Sequence, residues 1–194
     1  VYGMPALAAD FRARFPHIRL EVTVDTTDEV EKRLLENELD AAIVAGVVRS
    51  RFISLTPLFT EQHVALCAPG HPMAGRTVPL AQFMAQPMVL RQRSSGAFQL
   101  FSAAAAQAGY TLRPAWECAS LQAILAAVGR GLGVTVLPSR LAAPALAAGQ
   151  LARIRVQGLS VHSTVCLAVH KSKFISPALG HFMAMARALA QREE

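Results

Sequence analysis

The spacing of apolar positions along the chain changes repeatedly between helical and strand periods. Ala8, Phe11 and Phe15 mark one face of a first helix that Pro16 stops. Ile18 to Val24 then alternates apolar and polar residues and predicts a strand. Thr26 with Glu29 reads as a capping box opening a helix that buries Val30 and Leu34, with Glu31, Lys32, Arg33, Glu36 and Glu38 on a solvated outer face. Further strands are predicted over 40–45, 52–59, 63–68, 88–90, 114–118, 134–137, 151–156 and 163–170. Helices are predicted over 80–85, about 97–108, from Ser120 to Val128, and over 138–148. A last helix opens at Ser176-Pro177 and has Leu179, Phe182, Met183, Ala186 and Leu189 on its core face. Strands alternating with helices imply an α/β fold with largely parallel sheets.

The stretch AILAAVGRGLGVTVLP contains glycines at 129, 131 and 133. A phosphate-cradling loop needs a strand, then glycines, then a helix start. Here the helical pattern of Leu121, Ile124, Leu125 and Val128 comes first and the β-branched run Val134-Thr135-Val136 follows. The order is therefore that of a helix end, where glycine adopts positive φ at low cost.

Length and composition narrow the possibilities. A chain of 194 residues suits one large domain or two small lobes. Its apolar share is 53%, yet no apolar run approaches the roughly 20 residues of a membrane span. Cys67, Cys118 and Cys166 are odd in number and form no CxxC pair, which favours a reducing cytoplasm and core packing over a disulfide scaffold. The net charge of +6 comes from scattered Lys and Arg with no basic helix, which suits a small-anion site better than direct DNA contact. No HExxH or comparable pair marks a metal site, and no GxSxG surrounds Ser94 and Ser95, so neither a metal, a cofactor nor a catalytic residue is expected.

Three predicted strand-to-helix junctions carry hydroxyl residues: Asp25-Thr26-Thr27, Ser94-Ser95-Gly96 and Ala119-Ser120. A hydroxyl at such a position caps one free amide, and its neighbours remain available to an acceptor beside the positive end of the helix dipole. Arg91 and Arg93 precede one junction and supply full charges. Asp25 departs from a neutral anion pocket, so it either points outward or selects a ligand that also carries an amino group.

These residues, in this order, are where the chain resembles the effector-binding domain of LysR-type transcriptional regulators. The segments FRARFPHIRLEV, ENELDAAIV and APGHPMAG carry the likeness most specifically, followed by PMVLRQRSSG, GLGVTVLP and HKSKFISPALGHFMAMA. The resemblance implies a two-lobed fold like that of type 2 periplasmic binding proteins, with two crossover strands and a small effector in the cleft. Lobe one would comprise residues 1–69 plus 167–194, and lobe two 70–166. Matching positions for effector binding are Thr26, Thr27, Ala45, Gly46, Arg93, Ser94, Ser95, Gly96, Ala119 and Ser120. The family's winged helix-turn-helix, which would carry DNA binding, and its first strand have no counterpart here, so the chain reads as part of something longer. A cytoplasmic homodimer, or a tetramer at full length, is also implied, with the helices near 5–15 and 97–108 as candidate contacts. A solute-binding protein for transport and an enzyme on the same fold are the alternatives.

Overall fold

The computed structural model describes residues 3–191. The chain forms two compact units, one running up to Thr60 and resuming at Thr164, the other comprising Glu61–Ser163. The chain passes from one to the other within two long strands, β2 (Ile53–Cys67) and β8 (His162–His170).

In the first unit, α1 (Met4–Arg14), α2 (Thr27–Leu35), β1 (Ala42–Val44) and α7 (Pro177–Gln191) pack around β8. β1 pairs antiparallel with β8, setting Ile43 opposite Leu167 and Val44 opposite Cys166. One face of this pair buries Leu34 of α2 with Val44, Ile53 and Ala168. The other buries Leu7 of α1 and Ala186 of α7 against Leu167, with Phe182 and Met183 beside them. Phe11 meets Phe182 edge to face at 5.7 Å, fastening α1 to α7. Leu7, rather than Ala8, joins Phe11 in the buried stripe of α1. The side chain of Leu189 lies outside the described residues.

Two expectations fail in this unit. Residues 18–24 alternate as a strand should, yet they have no ladder partner among the described residues, and Val22 and Val24 are exposed. Alternation assigns side chains to faces, but a strand exists only where backbone groups meet a neighbour. Glu31 is not on a solvated face: its buried carboxylate accepts the amides of Arg49 (3.1 Å) and Ser50 (2.6 Å). The loop after β1 folds over α2 and brings donors that periodicity does not reveal.

The second unit is built on one continuous run of paired strands. The later part of β2 pairs antiparallel with β6 (Thr135–Pro138) and β7 (Ala152–Gln157), and β7 pairs parallel with β3 (Thr77–Pro79). A bridge between Met88 and Val134 joins β6 to β4 (Val89–Arg91), which pairs parallel with β5 (Trp116–Cys118). Helices α3 (Leu80–Met84) and α4 (Gly96–Gln107) contribute Phe83 and Phe101 to one buried layer, with rings 6.4 Å apart. α5 (Leu121–Gly129) and α6 (Ser139–Ala147) contribute Ile124, Val128 and Ala142 to the other.

Strand pairing is thus mixed rather than largely parallel. β2 runs against both of its neighbours in this unit, whereas β3 on β7 and β4 on β5 run parallel. The two strands expected at 52–59 and 63–68 are one, β2. Glu61 interrupts the apolar pattern because it is buried for a purpose. Its carboxylate accepts from the Ser139 hydroxyl (2.9 Å) and the Arg140 amide (3.0 Å), capping α6 from a distance. Two residues on, buried His63 shares a hydrogen bond with Ser163 at 3.2 Å. Burial holds its imidazole down at about 4, against an opposing pull from Glu61.

The glycine-rich stretch ends α5. Gly131 (φ 79°) donates to the Val128 carbonyl and Leu132 to that of Ala127, the paired bonds of a Schellman motif. Gly133 then lies against the chain: a Cβ there would stand 2.3 Å from the Pro87 carbonyl oxygen. The close approach lets Val134 donate to that oxygen at 2.8 Å and begin β6 beside β4.

Candidate functional site

Two of the hydroxyl junctions lie side by side in the second unit. β4 and β5 are parallel and in register, with Leu90 opposite Glu117 and Arg91 opposite Cys118, so they end together. Each then turns into a helix. Beyond the carboxyl ends of such strands is where α/β sheets take ligands. The Ser95 hydroxyl accepts the Phe98 amide (3.2 Å) at the start of α4, and the Ser120 hydroxyl accepts the Ala123 amide (3.3 Å) at the start of α5. Ser95 is buried whereas Ser94, Ala119 and Ser120 are exposed. The amides of Gly96 and Ala97, and of Leu121 and Gln122, have no acceptor within their own helices by virtue of position. Two positive helix ends therefore converge on one edge of this unit.

The arginines are more occupied than their spacing suggests. Arg91 donates through Nη1 to the Ala119 carbonyl oxygen at 2.5 Å, tying one junction to the other. Arg93 lies over the Phe98 ring, 5.8 Å from its centroid, with its Nε 3.4 Å from Glu117 Oε2. Its amide donates to Glu117 Oε1 at 3.0 Å. Glu117 escapes a reading of the sequence because only the register of β4 on β5 brings it to Arg93. An acidic residue at a strand end, with an arginine in the loop after another strand, was the one signal present. Cys118 also faces inward here, its sulfur accepting the Ser120 amide at 3.3 Å.

The first unit holds the third junction, and it brings Thr26, Thr27 and Gly46 together. Thr26 caps α2, its hydroxyl accepting the Glu29 amide at 3.3 Å. The reciprocal half of the expected capping box is taken by a nearer carboxylate: the Thr26 amide donates to exposed Asp25 at 2.8 Å. Thr27 packs directly on Gly46, where a Cβ would stand 2.5 Å from its Oγ1. Ala45, just after β1, is half-buried beside Phe59 and Val165.

Other chemistry is sparse. Among the described residues no three His, Cys, Asp or Glu side chains gather as a metal site. Cys67 and Cys166 are buried, and burial raises both thiols, Cys67 to about 11, which disfavours the thiolate. No helix among the described residues is long and apolar enough to cross a membrane.

Comparison with known proteins agrees with this architecture. The regulatory domain of CcmR from Synechocystis PCC6803, solved in complex with 2-PG, superposes with a TM-score of 0.90 over 98% of this chain and 92% of its own, at 21% identity. The effector-binding domain of QuiR, solved with shikimate, gives 0.83 over 97% and 90%, at 20% identity. These likenesses establish a two-lobed fold of the type 2 periplasmic-binding-protein kind. In sequence the chain is 29% identical, over 182 residues, to the uncharacterized HTH-type transcriptional regulator YeiE of Escherichia coli K12. That match covers 94% of this chain but 62% of the relative, so the chain spans about three fifths of that protein's length. The model of the LysR substrate binding domain matches residues 1–191, and the chain belongs to that family.

Proposed function

We propose that this chain is the effector-sensing part of a DNA-binding transcription regulator, and that its effector is a small anionic metabolite. The reading rests above all on the parallel pairing of β4 with β5, which sets two hydroxyl-capped helix starts beside each other. Arg93, Ser94, Ser95, Gly96, Ala119 and Ser120 are the residues assigned to effector binding in the second unit. Thr26, Thr27, Ala45 and Gly46 are assigned in the first. A carboxylate or phosphate would accept from first-turn amides that have no acceptor of their own, with the helix dipoles favouring its charge. Binding shifts the protein between states only by its difference in affinity for them.

The relative compared above is a transcriptional regulator, which supports a sensor over a transport protein or an enzyme. On this reading the whole protein is cytoplasmic, contacts DNA through an N-terminal domain and acts as a homo-oligomer, with α1 and α4 as candidate contacts. A monomeric mass at high micromolar concentration would count against the oligomer.

Thermal unfolding against a panel of carboxylates, amino acids, phosphates and aromatic acids tests the sensing role. A ligand at 100 times its dissociation constant adds about 2.7 kcal/mol, a rise of roughly 5–10 °C for a domain of this size. Replacing Ser120 by Ala should cost about 1 kcal/mol of stability through the lost cap and weaken binding of the active compound. Unchanged affinity in that variant would make Ser120 structural and remove it from the site.

A further inference from the structure

The contact between Arg93 and Glu117 has a consequence for ligand choice. The Glu117 carboxylate holds Arg93 at two points, the backbone amide at 3.0 Å and the guanidinium Nε at 3.4 Å. The two have different roles. The amide bond supports the turn before α4, in which Ser95 also donates to the Gln92 carbonyl at 2.9 Å and Gln92 donates to that of Cys118 at 3.1 Å. The contact with Nε is made to the side chain rather than to the backbone of that turn. It places a negative charge against the cation that stands over the first turn of α4, beside Phe98. The Arg93 side chain is 70% exposed and that of Glu117 is 39% exposed, so an incoming anion reaches both. Arg91 keeps its charge but is tied through Nη1 to the Ala119 carbonyl oxygen, next to the start of α5 rather than that of α4.

We propose that Glu117 is a specificity-determining residue, which engages Arg93 and limits the positive charge offered to the effector. The inference rests on the reading of the α4 and α5 starts as the anion-binding edge. An anion that binds the Arg93 guanidinium, whether through its Nη groups or in place of Glu117 at Nε, sits near the Glu117 carboxylate and is repelled by it. That repulsion grows with the ligand's charge. The site therefore favours singly charged acids over compact dianions.

Replacing Glu117 by Gln tests this, because the amide oxygen of Gln keeps an acceptor for the Arg93 backbone while the charge is lost. The probes are acetate and, at about pH 8 where it is a dianion, inorganic phosphate. Each is followed by the NMR signals of the Gly96 amide and the Arg93 Nε–H. The expected result is that Glu117→Gln binds phosphate about two- to fivefold more tightly than the parent protein, in line with an exposed ion pair. Acetate affinity should change less. The Arg93 Nε–H signal of the parent should shift on phosphate addition, which a purely structural Glu117 would not require. Equal or weaker phosphate affinity in Glu117→Gln, with the Gly96 amide still responding, would overturn the proposal and leave the anion-binding edge standing. A Gly96 amide unmoved by either anion in both proteins would instead overturn that underlying reading, and the proposal with it. Arg93→Gln provides a second check: it should abolish the preference created by Glu117→Gln, and a preference that survives would also refute the role of the pair.

Discussion

The start of α2 and the starts of α4 and α5 share one local chemistry, a hydroxyl accepting the amide three residues ahead. Their supports differ. Ser95 and Ser120 follow strands that are paired in register and backed by two buried layers, one containing Leu90 and Phe98 and the other Val89. Thr26 follows residues 18–24, which have no ladder partner among the described residues and are held laterally by contacts such as Arg33 to Thr23 at 3.1 Å. A cap satisfies one amide wherever it occurs. It becomes a positioned element of a site when the strand before it is fixed by a sheet.

Truncating a leucine behind each junction should show this difference most strongly. Leu90→Ala in β4 removes a side chain that is 2% exposed and should cost about 2–5 kcal/mol. Leu20→Ala, in the unpaired segment, should cost less than about 1 kcal/mol because its side chain is only half-buried. Urea unfolding of both variants measures this, and equal costs would end the distinction between the two supports.

The next effect is on pH and belongs to the second unit. His63 takes up a proton near 6.5 when unfolded but only at about 4 when folded. Between these values the unfolded state binds more protons, so stability present above pH 6.5 is lost as pH falls toward 4. The loss approaches about 3 kcal/mol at the lower end. Stability measured between about pH 7 and 4.5 should fall more steeply in the parent protein than in His63→Gln. Parallel curves would show that His63 is hydrated in solution.

The smallest effects are expected at the caps. Ser95→Ala should cost about 1–2 kcal/mol, since the hydroxyl is buried, and Thr26→Ala about 0.5–1 kcal/mol. Reversal of that order, seen as the larger fall in Tm for Thr26→Ala, would mean that α2 is better supported than its neighbouring chain suggests.

Much of this molecule is legible in local patterns. The ends of α4 and α5, the start of α7, the caps at Thr26, Ser95 and Ser120, and the reversal at Gly131 all follow from interactions within a few residues. They depend on backbone geometry and hydrogen-bond valence, which neighbouring residues decide. Glu117 beside Arg93, Glu61 on the start of α6, Glu31 on the loop after β1 and the unpaired state of residues 18–24 were not legible in this way. Each depends on which distant segment lies alongside: Glu61 is 79 positions from Arg140, and Glu117 is 24 from Arg93. A buried carboxylate or an exposed valine reads identically in a sequence whether or not a partner arrives, because desolvation and pairing are properties of the assembled chain.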